Sequence, residues 1–376
     1  MARSSPIALV LSGGGARGAY EAGVVAGLVE VLGATRFDLM AGTSVGAINA
    51  SYLASHAHRD DLGIDHLVTL WGGLGLRSHL RLARHPLQQH ALLDVRPFEE
   101  VVRTGVDWAR LAENIDGGTL QGLFVAALQV DSGRTAVFAD LAPDARWVPS
   151  KDPQRHASCA RLTAEHVLAS AAIPGVFPPR AVDGRLYYDG GLRFNTPISP
   201  VLRAGAERLV VASPLHAAAD AEVVPAPTPD PLFLAGKMLH AVLLDPFAYD
   251  LQVLDRFNEL LAVLDDTLDG AERDRFDARC IELRGTAYRQ VEALVFSPSQ
   301  DLGRLGVDYL RRNRRRLLRQ GLGGLLLAMG SRRLAASGTD LVSYLLFDGG
   351  YTRQLVALGR HDVWARAAEV RAFFRG

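Results

Sequence analysis

Cysteine and lysine are nearly missing from this chain of 376 residues. The two cysteines, Cys159 and Cys280, stand far apart with no metal-ligand spacing near them, which excludes a disulfide framework and a zinc site. Lys151 and Lys237 are the only lysines, so the basic residues are almost all arginine, a bias to which no function is assigned. A surplus of either charge is lacking too. Lys+Arg and Asp+Glu both number 41, so no global field draws the protein to nucleic acid or to an acidic membrane. No stretch approaches the roughly 18 uninterrupted apolar residues of a spanning helix. The apolar run from Pro6 to Leu11 is too short for a secretory signal. These absences lead to the expectation of a cytoplasmic protein, attached at most to a membrane surface. What is present is globular: 48% hydrophobic residues with 22% charged, and length enough for one large domain or two.

The most informative stretch surrounds Ser44. Phe37 to Ala41 reads as a buried strand and Val45 to about Ala57 as a helix of small residues. Between them, Gly42-Thr43-Ser44-Val45-Gly46 fits G-x-S-x-G. A sharp turn from strand to helix needs residues without bulk on either side, because the nucleophile's backbone is strained and the helix passes close to the sheet. The serine then stands at the sheet's carboxyl edge, at the positive end of a helix dipole.

Upstream, Ile7 to Leu11 is a continuous apolar run suited to a central parallel strand. It opens into Ser12-Gly13-Gly14-Gly15-Ala16-Arg17-Gly18, and Ala19 to Leu32 reads as a helix. Such a turn presents unpaired N–H groups to an anion, which is a dinucleotide's pyrophosphate, a nucleotide phosphate or an acyl-transfer oxyanion. Gly13, Gly15 and Gly18 do match G-x-G-x-x-G, with Asp38 further on. In a dinucleotide fold, however, the acidic residue ends the second strand, whereas Asp38 begins it. A Walker loop needs Gly-Lys-Ser/Thr, and Arg17-Gly18 stands here instead. The oxyanion reading is preferred, with a dinucleotide-binding oxidoreductase as the alternative.

SGGGARG followed by GTSVG resembles the patatin-like phospholipase family. Ala169 to Pro174 with Phe177-Pro178-Pro179 is similar to the family's acyl-site stretch, and Asp189-Gly190-Gly191, then Asn195-Thr196-Pro197, to its D-G-G region. Four motifs in order over residues 7–212 carry the resemblance, a little more than half of the chain. It implies a Ser–Asp dyad with no histidine: Ser44 as nucleophile, Asp189 as general base, and the loop Gly13, Gly14, Gly15, Ala16, Arg17 and Gly18 around an oxyanion hole formed by the amides of Gly13 to Ala16. Gly42, Gly46, Gly190 and Gly191 complete the motifs. Arg17 supports the loop, faces the developing charge, or is simply a packed arginine. No metal or organic cofactor is implied. The substrate implied is a lipid, a phospholipid or lysophospholipid ester, and nucleic acid is not expected as a partner.

Eleven histidines leave a Ser-Asp-His triad of the α/β-hydrolase type as another alternative, completed by His216, His240 or His361, but none follows a convincing late strand. Asp348-Gly349-Gly350 repeats the D-G-G letters and reads as a helix-ending turn. Asp61 to Arg110 looks mainly helical, Gly122 to Leu128 and Thr135 to Phe138 form a strand pair, Glu165 to Ala172 a helix, and Arg185 to Tyr188 a strand. Arg208 to Ala212 reads as the last core strand, with Val291 to Phe296 a further candidate. The alternation predicts an α/β fold, a three-layer α/β/α sandwich with a mostly parallel central sheet. The expected division is a catalytic domain over 1–215 and a helix-rich region over 216–376 packed on or capping it. An alanine- and proline-rich connector, 217–231, marks the change. Near the end, the basic run Arg311 to Arg319 precedes the apolar stretch 321–329, a pairing that suits peripheral contact with an anionic membrane, or else a solvated helix face. Oligomeric state is not legible.

Overall fold

The computed structural model describes residues 5–79, 81–83, 91, 93–214, 245–319 and 339–375. The connector 217–231, the apolar stretch 321–329, His216 and His240 lie outside the described residues. In chain order the main elements begin with β1 (Ile7–Leu11), α1 (Gly18–Leu32), β2 (Leu39–Thr43), α2 (Val45–Ser55), α3 (Ile64–Gly73), α4 (Arg96–Gly105) and α5 (Trp108–Asp116). There follow β3 (Gly122–Gln129), β4 (Thr135–Leu141), β5 (Arg155–Cys159), α6 (Ala164–Ser170), β6 (Arg180–Val182), β7 (Arg185–Asp189), α7 (Ile198–Arg203) and β8 (Arg208–Ala212). The remainder supplies α8 (Asp245–Thr267), α9 (Gly270–Arg284), β9 (Glu292–Phe296), α10 (Leu302–Arg312), α11 (Arg314–Leu317), α12 (Thr339–Leu345), α13 (Gly349–Ala365) and α14 (Ala367–Arg375).

Apolar strands covered on both faces pair in parallel, and the sheet order β9-β8-β1-β2-β3-β4-β5 follows that rule over its first five strands. β4 then turns back, antiparallel to β3 across the Asp131-Ser132-Gly133 turn, and β5 follows it in parallel. One face carries α1, α2 and α13 over a core that includes Leu9, Leu11, Met40 and Val125. The other carries α7 and α8 over Ala8, Val10, Leu39 and Phe124. The expected α/β/α sandwich with a mostly parallel sheet is the architecture found. One expectation is corrected: β8 is not the last core strand. Residues 292–296 join the same sheet, parallel to β8 from Arg208↔Glu292 to Ala212↔Phe296, because a run with alternate buried residues satisfies the open edge of β8.

Three glycines in α1 would weaken a solitary helix. Here two of them, Gly23 and Gly27, permit α13 to lie close on α1: a Cβ added at Gly23 would stand 2.3 Å from the Val356 carbonyl oxygen, and one at Gly359 would stand 2.4 Å from that of Tyr20. The C-terminal region is thereby seated directly on the helix that follows the glycine loop. Among the described residues no helix is long and apolar enough to cross a membrane.

Candidate active site

β3 is longer than β2, and that mismatch builds the site. Its first five residues pair with β2 as far as Thr43↔Ala126. The next three pair with β7, which enters antiparallel from Ala127↔Asp189 onward. Ser44, just past the end of β2, and Asp189, at the end of β7, therefore meet over neighbouring positions of one strand. The Ser44 hydroxyl donates to Asp189 Oδ2 at 2.6 Å, and the two residues are 4% and 1% exposed.

Ser44 adopts φ 56° and ψ −127°, a region that costs a non-glycine residue about 1–3 kcal/mol. The surroundings impose it. Its N–H donates to Ser170 Oγ at 2.8 Å, and that hydroxyl donates to the Ala126 carbonyl at 2.6 Å. A Cβ at Gly42 would stand 2.3 Å from the Gly46 carbonyl oxygen, and one at Gly46 would stand 2.4 Å from that of Leu11. Bulk on either side of the serine is thus excluded by backbone, as the motif requires.

Among the described residues Asp189 faces no cation. Its Oδ1 accepts the Gly191 N–H at 2.7 Å, and its own N–H donates to the Ala172 carbonyl at 2.8 Å. Gly190 lies so close to β3 that a Cβ would stand 2.3 Å from the Ala126 oxygen. Burial pushes the Asp189 carboxyl up to about 7, against the opposing pull of the hydrogen bonds from Ser44 and Gly191. A carboxylate in that range accepts a hydroxyl proton far more readily than an ordinary one.

The glycine loop adjoins the pair, since a Cβ at Gly13 would stand 3.0 Å from Ser44 Cβ. Its amides are not all available, however. Gly13 N–H donates to Asn195 Oδ1 at 2.9 Å while Asn195 Nδ2 donates back to the Gly13 carbonyl at 3.3 Å. The Arg17 and Gly18 amides are spent inside the turn, on Gly14 and on Gly15 and Ala16. Among the described residues the N–H groups of Gly14, Gly15 and Ala16 remain unbonded, as expected at a helix start. Arg17 is buried, with Nε donating to Ser343 Oγ at 2.7 Å and its guanidinium over the Tyr344 ring at 4.4 Å. It braces the loop against α12, and Gly15, at φ 57°, lies against the Tyr344 carbonyl.

Several residues reached by sequence stand apart from the pair. Asp38 accepts the Ile7 N–H at 2.8 Å, at the opposite end of β2 from Ser44. His361 is exposed on α13, and no imidazole intervenes in the direct Ser44 to Asp189 hydrogen bond. Asp348 does not end a helix: it caps the start of α13, accepting the Gly350 N–H at 3.1 Å. It also receives Arg316 Nη2 at 2.7 Å and the Tyr309 hydroxyl. Conversely, the bracing roles of Ser170 and Asn195 were invisible in the sequence. Asn195 stands in a turn-forming Asn-Thr-Pro run and Ser170 inside the stretch Ala169 to Pro174, but neither signal tells which backbone group the side chain holds.

Comparison with known proteins places these features in a family. The family profile described as patatin-like phospholipase matches residues 9–202. Uncharacterized NTE family proteins of Mycobacterium bovis and Mycobacterium tuberculosis are each 31% identical over 214 residues, covering 56% of this chain and 49% of theirs. A cGAMP-activated phospholipase of Pseudomonas aeruginosa is 31% identical over 199 residues, 50% of this chain and 53% of its own. The chain spans about half the length of the curated relatives it matches. The crystal structure of VipD from Legionella pneumophila superposes with a TM-score of 0.33 at 14% identity, over 93% of this chain and 91% of its own, too loosely to carry an argument. The profile takes in more than half of the residues, from the glycine loop through both members of the buried pair, and this chain belongs to the patatin-like phospholipase family.

Proposed function

We propose that this protein is a serine acyl hydrolase that cleaves fatty-acyl esters of phospholipids or lysophospholipids with a Ser44–Asp189 dyad. The observation that carries the reading is the 2.6 Å hydrogen bond from the Ser44 hydroxyl to a buried carboxyl that no cation among the described residues neutralises. The Ser44 proton passes to Asp189 as Oγ attacks the acyl carbon, and the carbonyl electrons form an oxyanion. The unbonded amides of Gly14, Gly15 and Ala16 are the donors for that charge, while Gly13 serves as the anchored end of the loop. The oxyanion collapses and expels the leaving oxygen, which takes the proton from Asp189. A water then gives its proton to the same carboxylate and attacks the acyl-serine, and the returned proton restores Ser44.

The activity for which the Pseudomonas relative is named, that of a phospholipase, supports a lipid ester as substrate. The reactive residues are read as carried by 1–215, with 216–376 packed on it and completing its sheet through Glu292–Phe296. Exposed arginines of the run Arg311–Arg319 make peripheral contact with anionic lipid in this reading, at the cytoplasmic face. Arg316 is not among them, because it is paired with Asp348. A fluorophosphonate probe should label the wild-type protein and fail on Ser44→Ala. Hydrolysis of a phosphatidylcholine and lysophosphatidylcholine mixture, followed by release of fatty acid, should fall with Ser44→Ala and Asp189→Asn alike. Normal turnover by Asp189→Asn would overturn the dyad.

A further inference from the structure

The layer opposite α1 and α2 holds a cavity of about 230 Å³ between α7, α8 and the segment after α9. A single enclosed water requires roughly 10–15 Å³ on the same measure, so the space admits a ligand. Its lining is chemically divided. Phe194, Ile198, Leu202, Leu254, Phe257 and Val291 supply an apolar wall. Arg155, Arg203, Arg284 and Arg289 supply four guanidinium groups, and among the described residues no carboxylate lines the cavity.

The cations are poorly neutralised. Asp152 approaches Arg155, and Glu207 approaches Arg289, each at 3.5 Å from outside the lining. Arg203, at 9% exposure, finds only neutral acceptors among the described residues: the Val148 carbonyl at 2.6 Å, that of Pro149 at 2.8 Å and that of Arg284 at 2.6 Å. Burial and the positive charges of Arg284 and Arg155 lower its pKa, the signature of a cation crowded by like charges. An adjoining cleft shares Arg155, Ser199 and Arg203 and includes Trp147, whose indole N–H is buried without an acceptor. Donors and positive charge in excess, beside apolar surface, call for a molecule with an acceptor-rich negative head and an apolar body.

We propose that this cavity binds an amphiphilic anion, a single carboxylate or phosphate head on an aliphatic chain, at a site separate from the Ser44–Asp189 pair. The proposal does not depend on the proposed hydrolysis, since charge and lining alone specify the ligand. Phe194 is part of the wall, and the next residue, Asn195, holds Gly13. The bound molecule would therefore sit one residue from the clamp on the glycine loop.

The test uses the full chain carrying Ser44→Ala, so that no turnover occurs, and titrates it calorimetrically with decanoate, decyl phosphate, decanol and inorganic phosphate below micelle-forming concentrations. At least one of decanoate and decyl phosphate should bind at least tenfold more tightly than decanol and inorganic phosphate, and the tighter of the two identifies the head group. Arg155→Ala with Arg289→Ala, both at partly exposed positions, should weaken that binding at least tenfold with an unchanged circular dichroism spectrum. Leu202→Trp, which fills the wall, should weaken it as well. Absence of binding, equal affinity for decanol or inorganic phosphate, or undiminished binding in the folded double arginine variant overturns the proposal. A protein that binds decyl phosphate here yet resists fluorophosphonate would retain this site and lose the hydrolase reading.

Discussion

The D-G-G letters occur three times in this chain, at 116–118, 189–191 and 348–350, and the two copies whose aspartates are buried do different things. Asp189-Gly190-Gly191 and Asp348-Gly349-Gly350 both bury their aspartate, and in both the carboxylate accepts the N–H two residues on. There the likeness ends. Asp348 meets the Arg316 guanidinium and the Tyr309 hydroxyl and caps a helix, so its charge is compensated and its work is structural. Asp189 meets only a serine hydroxyl and an amide, and burial lifts its carboxyl to about 7. A local turn motif supplies a positioned carboxylate; whether that carboxylate holds a fold together or accepts a proton depends on which partner the tertiary structure brings to it.

The comparison can be broken most directly by exchanging function for loss of charge at each site. Ser44→Ala and Asp189→Asn should each lower kcat/KM for an ester by about 10³–10⁵, the range for members of a unit that act together. Asp348→Asn should leave kcat/KM within about threefold but lower unfolding free energy by about 1–3 kcal/mol in a urea titration, because it removes the partner of a half-exposed arginine. Equal kinetic damage from both aspartates would erase the distinction. Next in size is Asn195→Ala, which frees the Gly13 amide from its clamp and should lower kcat about 10–100-fold with little change in KM, since the loop then loses its set position for the oxyanion.

Proton linkage sharpens the contrast further. The acid limb of the kcat/KM profile should fall near pH 7, where Asp189 gives up its proton, and not near the ordinary carboxylate range. The folded-state value lies above the ordinary 3.8, so the native protein binds the extra proton between about pH 4 and 7, and Asp189 makes stability decline as pH rises through that window. Asp189→Asn should therefore be more stable than wild type at pH 8, by up to about 4 kcal/mol, and show no such gain at pH 4, read from urea midpoints. The smallest effect concerns the neighbours of Arg316. Arg312, Arg314 and Arg315 have no acidic partner among the described residues, and replacing them by Glu should weaken sedimentation with anionic vesicles several-fold without altering stability.

The amino-terminal half of this arrangement is legible in sequence because it depends on contiguous signals. The runs at Ile7–Leu11 and Phe37–Ala41 declare buried strands, the second lying two residues further on at Leu39–Thr43, and Gly42 and Gly46 declare a crowded turn around Ser44. Asp189 is reached through family resemblance, but its approach to Ser44 results from β3 outlasting β2 and receiving β7, a matter of relative strand lengths that no local pattern encodes. The Gly13 amide reads as free in sequence, whereas its partner Asn195 lies 182 positions away. Asp348 is ambiguous for a similar reason: a D-G-G turn between two helices can close one or open the next, and contacts with Arg316 and Tyr309 set the direction.

The strand Glu292–Phe296 has a practical bearing on any attempt to shorten this protein. Cutting the chain after residue 215 removes the neighbour that occupies the outer side of Arg208–Ala212, and leaves the apolar run Leu209–Ala212 with a row of unsatisfied peptide groups open to solvent. Such a fragment would keep both reactive side chains and still be prone to stack with copies of itself, so the smallest workable piece must reach past residue 296.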